Sequence, residues 1–109
     1  MDIVCDKRAS GTLLQVIGRM DAVSAPSFEK ECLQVIDGGE KRIVVDLAGL
    51  EYISSAGLRS ILASAKKAKG TGCIMRFCGL GGMVQEVFQV SGLGTMFAVT
   101  ATIDEAFAS

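Results

Sequence analysis

Leu50-Glu51-Tyr52-Ile53-Ser54-Ser55-Ala56-Gly57-Leu58-Arg59-Ser60-Ile61-Leu62 is the stretch from which the fold can be read. A strand-like run ends just before it, and an amphipathic helix begins within it. From Leu58 onward the apolar residues fall at Leu58, Ile61, Leu62 and Ala65, the spacing of a helix with one buried face. Ser54 or Ser55 therefore stands at the N-cap, where free backbone N–H groups and the positive end of the helix dipole converge. A hydroxyl there can simply cap the helix. It can also carry a phosphate, because a helix N-terminus accommodates an anion.

Working outward, Arg42 to Leu47 upstream is nearly all apolar, which suits a central parallel strand covered on both faces. Before it, Ser24-Ala25-Pro26 opens a helix with Pro26 in the first turn. Phe28, Cys32, Val35 and Ile36 form its apolar stripe, and Gly38-Gly39 ends it. Ile3 to Arg8 and Leu13 to Ile17 read as a hairpin turned by Ala9-Ser10-Gly11-Thr12. Gly18-Arg19-Met20-Asp21 leaves its second strand.

Downstream, the helix of the opening stretch runs to Lys69 with Lys66, Lys67 and Lys69 in its last turn, and Gly70-Thr71-Gly72 stops it. Cys73 to Cys78 is a further strand. Gly79-Leu80-Gly81-Gly82 turns into a helix carrying Met83, Val84, Val87 and Phe88 on one side, broken by Ser91-Gly92-Leu93-Gly94. Met96 to Val99 forms a short last strand, and Ile103 to Ala108 a terminal helical turn. The order predicts an α/β domain with a mixed sheet of four to five strands and about four helices, a single unit over residues 1–109.

Parallel strands finishing on one side bring Asp21, Ser54, Ser55, Gly79, Gly81 and Gly82 to one rim, the edge where open α/β sheets place their sites. Composition narrows what that rim can do. The chain of 109 residues has a net charge of −1, unlike the basic face of a nucleic-acid binder. No apolar run approaches the ~20 residues of a membrane span, and the first residues lack the pattern of a signal peptide, so a cytoplasmic protein is expected. Four cysteines (Cys5, Cys32, Cys73, Cys78) form no CxxC pair and the chain has no histidine, so they read as reduced thiols and no metal site is expected.

Serine hydrolysis needs a base, and no histidine is present to act as one. The nearest lysines, Lys66, Lys67 and Lys69, belong at the far end of the same helix. The glycine-rich turn has the strand-turn-helix context of a phosphate cradle, but the GxGxxG fingerprint would need glycine where Val84 stands. Neither an enzyme nor a cofactor is expected. Asp21 reads as a turn or capping residue, or as a recognition group at the rim.

Asp46-Leu47-Ala48-Gly49-Leu50-Glu51-Tyr52-Ile53-Ser54-Ser55-Ala56-Gly57-Leu58 resembles the signature of STAS domains, in particular bacterial anti-sigma factor antagonists. The resemblance continues in Gly18-Arg19-Met20-Asp21 and in Val87-Phe88-Gln89-Val90-Ser91-Gly92-Leu93, and spans essentially the whole chain. It implies the STAS fold and a partner-switching protein in transcription regulation. In that family the unphosphorylated antagonist binds an anti-sigma factor, usually a serine kinase of the histidine-kinase-like ATPase fold. Phosphorylation releases the complex, and a metal-dependent serine phosphatase reverses it.

Residue by residue, the resemblance places the phosphorylated serine on Ser55, with Ser54 as the second candidate. It places the partner-binding residues at Asp21, Ser54, Ser55, Ala56, Gly57 and Arg59. Members commonly carry aspartate where this chain has Ser54, which removes a charge from the rim. Two other readings fit the same rim: an accessory subunit docking on a transport ATPase, and a small nucleotide-binding sensory module.

Overall fold

The longest strand organises the sheet by serving two partners in turn. In the computed structural model, which describes residues 1–108, β1 (Asp2–Arg8) pairs antiparallel with β2 (Gly11–Met20), as the hairpin reading predicts. The first half of β2 pairs in parallel with β3 (Arg42–Asp46), with Thr12 opposite Ile43 and Gln15 opposite Asp46. From Gly18 onward β2 pairs in parallel with β4 (Leu50–Ile53) instead, with a register irregularity between Gly18 and Arg19. Leu47-Ala48-Gly49 steps the chain out of β3 and back beside β2, with the Gly18 N–H donating to the Gly49 carbonyl at 2.9 Å.

α1 (Ala25–Asp37) connects β2 to β3, and α2 (Ser55–Thr71) connects β4 to β5 (Ile74–Cys78). α3 (Gly82–Ser91), the single turn α4 (Leu93–Met96), β6 (Val99–Thr100) and α5 (Ile103–Ala108) complete the described chain. The strand order is β1-β2-β3-β5-β6, with β4 attached to β2. Among the described residues the mixed α/β sheet expected with four to five strands has six, and five helices flank it where about four were expected. The last strand begins at Val99, because Met96 closes α4 rather than opening a strand. Among the described residues no helix is long and apolar enough to cross a membrane.

The two faces of the sheet are covered unequally. One carries α1 to α4 and the main core, in which Leu14, Val16, Ile43, Val45 and Phe77 meet Phe28, Cys32, Ile61 and Phe88. The other carries α5, whose Ala106 closes over Leu13, Val44 and Cys78. Alternation along β5 accounts for the split, sending Met75 and Phe77 one way and Cys78 the other. Cys73 and Cys78, five residues apart, accordingly lie in different clusters. Of the apolar residues expected on α3, Val84 and Phe88 are buried and Val87 is half-buried, whereas Met83 is exposed.

α1 and α2 approach through small residues. Ser60, Ser64, Ala65 and Ala68 are all buried on α2, and the Ser64 hydroxyl donates to the Ser60 carbonyl at 2.8 Å. That bond satisfies the hydroxyl within its own helix, so a serine can sit in an apolar interface at little cost.

Candidate functional site: the rim at the start of the second helix

Ser54 is in extended conformation (φ −92°, ψ 173°), and its Oγ accepts from the Gly57 N–H at 3.2 Å. Its own carbonyl accepts the first helical bond, from Leu58 N at 3.0 Å. These are the two marks of an N-cap residue. Ser55 is therefore the first residue of α2, and it is exposed. The two adjacent hydroxyls differ: one is consumed by the helix, and the other stands free at its positive end.

The rest of the rim is tied to this cap through the backbone. Ser54 N–H donates to the Met20 carbonyl at 2.9 Å, which sets Asp21, the next residue of the chain, beside the helix start. Asp21 Oδ1 accepts from the backbone N–H groups of Val23 and Ser24, both at 3.0 Å. The Ser24 hydroxyl accepts from Asp21 N–H at 2.9 Å and lies within reach of the Arg19 carbonyl and of Asp21 Oδ1. The Ser24 backbone N–H, then its hydroxyl, hold the Asp21 carboxyl below the ordinary carboxylate range. Asp21 is thus a turn-forming carboxylate that keeps its charge at the rim.

Gly57, expected among the partner-binding residues, is placed at the base of the rim. It is buried, and a Cβ there would come within 2.8 Å of Ile53 Cγ1 and 3.0 Å of the Met20 carbonyl. A glycine lets the first turn of α2 rest directly on β2 and β4. Ala56 is half-buried, while Arg59 is exposed one turn along from Ser55.

The glycines of the neighbouring turn divide by role. Gly79 has φ +74°, and a Cβ would stand 2.6 Å from Asp46 Oδ1. The buried Asp46 carboxylate accepts from Ala48 N–H at 3.0 Å and from Gln15 Nε2 at 3.3 Å, so it shapes the turn between β3 and β4. Gly79 is there to let the chain pass Asp46. Gly81 and Gly82 are exposed, and a Cβ on either meets nothing within 4 Å.

Two contacts at the rim escape a sequence reading. The Arg19 guanidinium lies 4.2 Å from the centroid of the Tyr52 ring, and the two residues are directly opposed between β2 and β4. Ser24, which holds Asp21, reads in sequence only as the opening of α1. One turn from Ser55, Leu58 borders a cleft of about 300 Å³ between α2 and α3 that is also lined by Glu86, Val87, Val90 and Ser91. Among the described residues no cluster of three His, Cys, Asp or Glu could hold a metal ion.

A model of the STAS domain matches residues 2–106. The chain belongs to the STAS domain family. This STAS chain is 35% identical over 109 residues to BtrV of Bordetella bronchiseptica, by its name a candidate anti-sigma factor antagonist; the match covers 100% of this chain and 94% of BtrV. The crystal structure of an anti-sigma factor antagonist from Mycobacterium paratuberculosis superposes with a TM-score of 0.88 at 25% identity, covering 98% of this chain and 91% of that one. Bacillus SpoIIAA in its phosphorylated form shares the STAS fold at a TM-score of 0.76 and 18% identity, with coverage of 98% and 97%.

Proposed function

We propose that this STAS chain is an anti-sigma factor antagonist whose docking to its partner is switched by phosphate on Ser55. The observation that carries the reading is the division of labour at the helix start: Ser54 caps α2, leaving the exposed Ser55 hydroxyl free at the rim. BtrV, similar over 94% of its length, is named as a candidate antagonist, and SpoIIAA of the same fold has a phosphorylated form. In this reading Asp21, Ser54, Ser55, Ala56 and Arg59 form the docking surface. The partner is an anti-sigma factor that is a serine kinase of the histidine-kinase-like ATPase fold, and a serine phosphatase resets the site.

The physics of such a switch is favourable. A phosphate adds about −1.5 to −2 charges at pH 7. At a helix N-terminus that charge stabilises the helix by about 0.3–1 kcal/mol, so the fold tolerates it. At the centre of an interface it must be desolvated beside whatever faces it. Turning a complex from nearly all bound to nearly all free takes about 5.5 kcal/mol of differential binding. Desolvation and repulsion of a doubly charged group supply energies of that order. The modification therefore acts on the surface and leaves the fold alone.

The test is a pull-down from the native cell with wild-type, Ser55→Ala and Ser55→Asp chains, with partners and phosphosites read by mass spectrometry. Wild type and Ser55→Ala should retain an anti-sigma factor, Ser55→Asp should lose it, and Ser55 should carry phosphate in cells. Equal retention by all three, with Ser55 never phosphorylated, would end the proposal. Amide spectra of the phosphorylated chain should change around Asp21 and α2 and nowhere else along the sheet.

A further inference from the structure

We propose that β1 is a self-association edge, through which two copies of this chain pair antiparallel about Cys5 to form one continuous sheet. β1 ends the strand order, bonded to β2 on one side alone, and every residue from Val4 to Arg8 is exposed. An open strand edge of this length is a template for another strand unless its charges repel a copy. Here they do not. Asp2 and Asp6 balance Lys7 and Arg8, with the isolated acid at one end of the strand and the bases at the other.

Geometry then selects the register. In a sheet continued across a twofold axis, opposed residues lie on the same face, so their numbers share parity. Pairing about Val4 sets Asp2 against Asp6, and pairing about Asp6 or Lys7 sets like charges against themselves. Pairing about Ile3 engages three residues of each strand. Pairing about Cys5 engages all seven residues of β1 and opposes no like charges. It sets Asp2 against Arg8 at both ends, Ile3 against Lys7, Val4 against Asp6, and Cys5 against itself.

Arg8 is already held at the strand end, its Nε 3.0 Å from Asp6 and its guanidinium 5.4 Å from the Phe107 ring centroid. Its other N–H groups remain donors for a second carboxylate. A seven-residue strand pairing is small for an interface, so the association is weak and concentration-dependent. No residue of β1 belongs to the Ser55 rim, so the pair would present two rims, and the proposal stands independently of the phosphate switch.

Sedimentation of the full chain in reductant, from about 10 μM to about 1 mM, spans the range of a weak interface. A monomer–dimer equilibrium is expected, weakened about tenfold by Asp2→Lys. The paired reversal, Asp2→Lys with Arg8→Glu, should restore it. Opposed Cα atoms in such a pair are about 4.5–5.5 Å apart, within disulfide range. Mild oxidation should therefore cross-link wild type through Cys5, while Cys5→Ser abolishes the cross-link and keeps the reversible dimer. A monomer throughout, or a dimer indifferent to both charge variants and yielding no Cys5 cross-link, would overturn the proposal.

Discussion

Ser54 and Ser55 are neighbours of identical chemistry in different physical situations. Ser54 spends its oxygen on the Gly57 N–H, whereas no such cap bond ties Ser55. Ser54→Ala should lower unfolding free energy by about 0.5–2 kcal/mol, the range for an N-cap hydroxyl. Ser55→Ala should stay within about 0.5 kcal/mol of wild type, as exposed substitutions do. Urea denaturation of the two variants checks this, and equal losses would contradict the assignment of the cap. The dipeptide alone leaves both roles open, because either serine satisfies the cap pattern. The extended backbone at Ser54 decides between them. Gly57 shows the same limit: its motif position marked a functional surface, but its neighbours Met20 and Ile53 come from other elements and give it a packing role.

At the scale of elements, periodic segments were legible and short ones were not. The two long helices and the central strand follow from apolar spacing that their own residues carry. β4 gives no strand signal in the sequence, because four residues show too little alternation. Its status depends on the end of β2 being available as a partner. The cysteines test the placement of elements directly. Burial pushes the Cys32 thiol up to about 12 and the Cys78 thiol up to about 11, and also raises Cys73. A raised thiol value means less reactive thiolate at a given pH. The Cys5 thiol is raised as well, so access separates the four: at pH 8 an aromatic disulfide reagent should modify Cys5 in the folded protein, since Cys5 alone is exposed. The other three should react after unfolding. Rapid modification of more than one thiol would show that the sheet faces are not closed as described.

Across the whole molecule, stability rests on where the sheet meets the third helix. Phe77 on β5 is fully buried, 5.8 Å from the Phe88 ring on α3 and 5.4 Å from the Phe97 ring. One ring thus joins the sheet, α3 and the segment entering β6. Phe77→Ala should cost about 3–5 kcal/mol, the range for a buried aromatic, as measured by chemical denaturation. A loss below about 2 kcal/mol would mean that the surrounding core collapses into the space or was never tightly packed.

The sequence by itself determined the hairpin, the parallel α/β order, the amphipathic helices and the rim on which the serines lie. Each rests on short-range spacing, on turn residues, or on the rule that parallel strands end together. Only the tertiary structure decided that β2 changes partners at Gly18, that Gly57 packs against Met20, and that Ser24 holds Asp21 while Arg19 stacks on Tyr52. Most of these are contacts between separate elements. Their energy comes from distance and direction in space, which no local run of residues encodes.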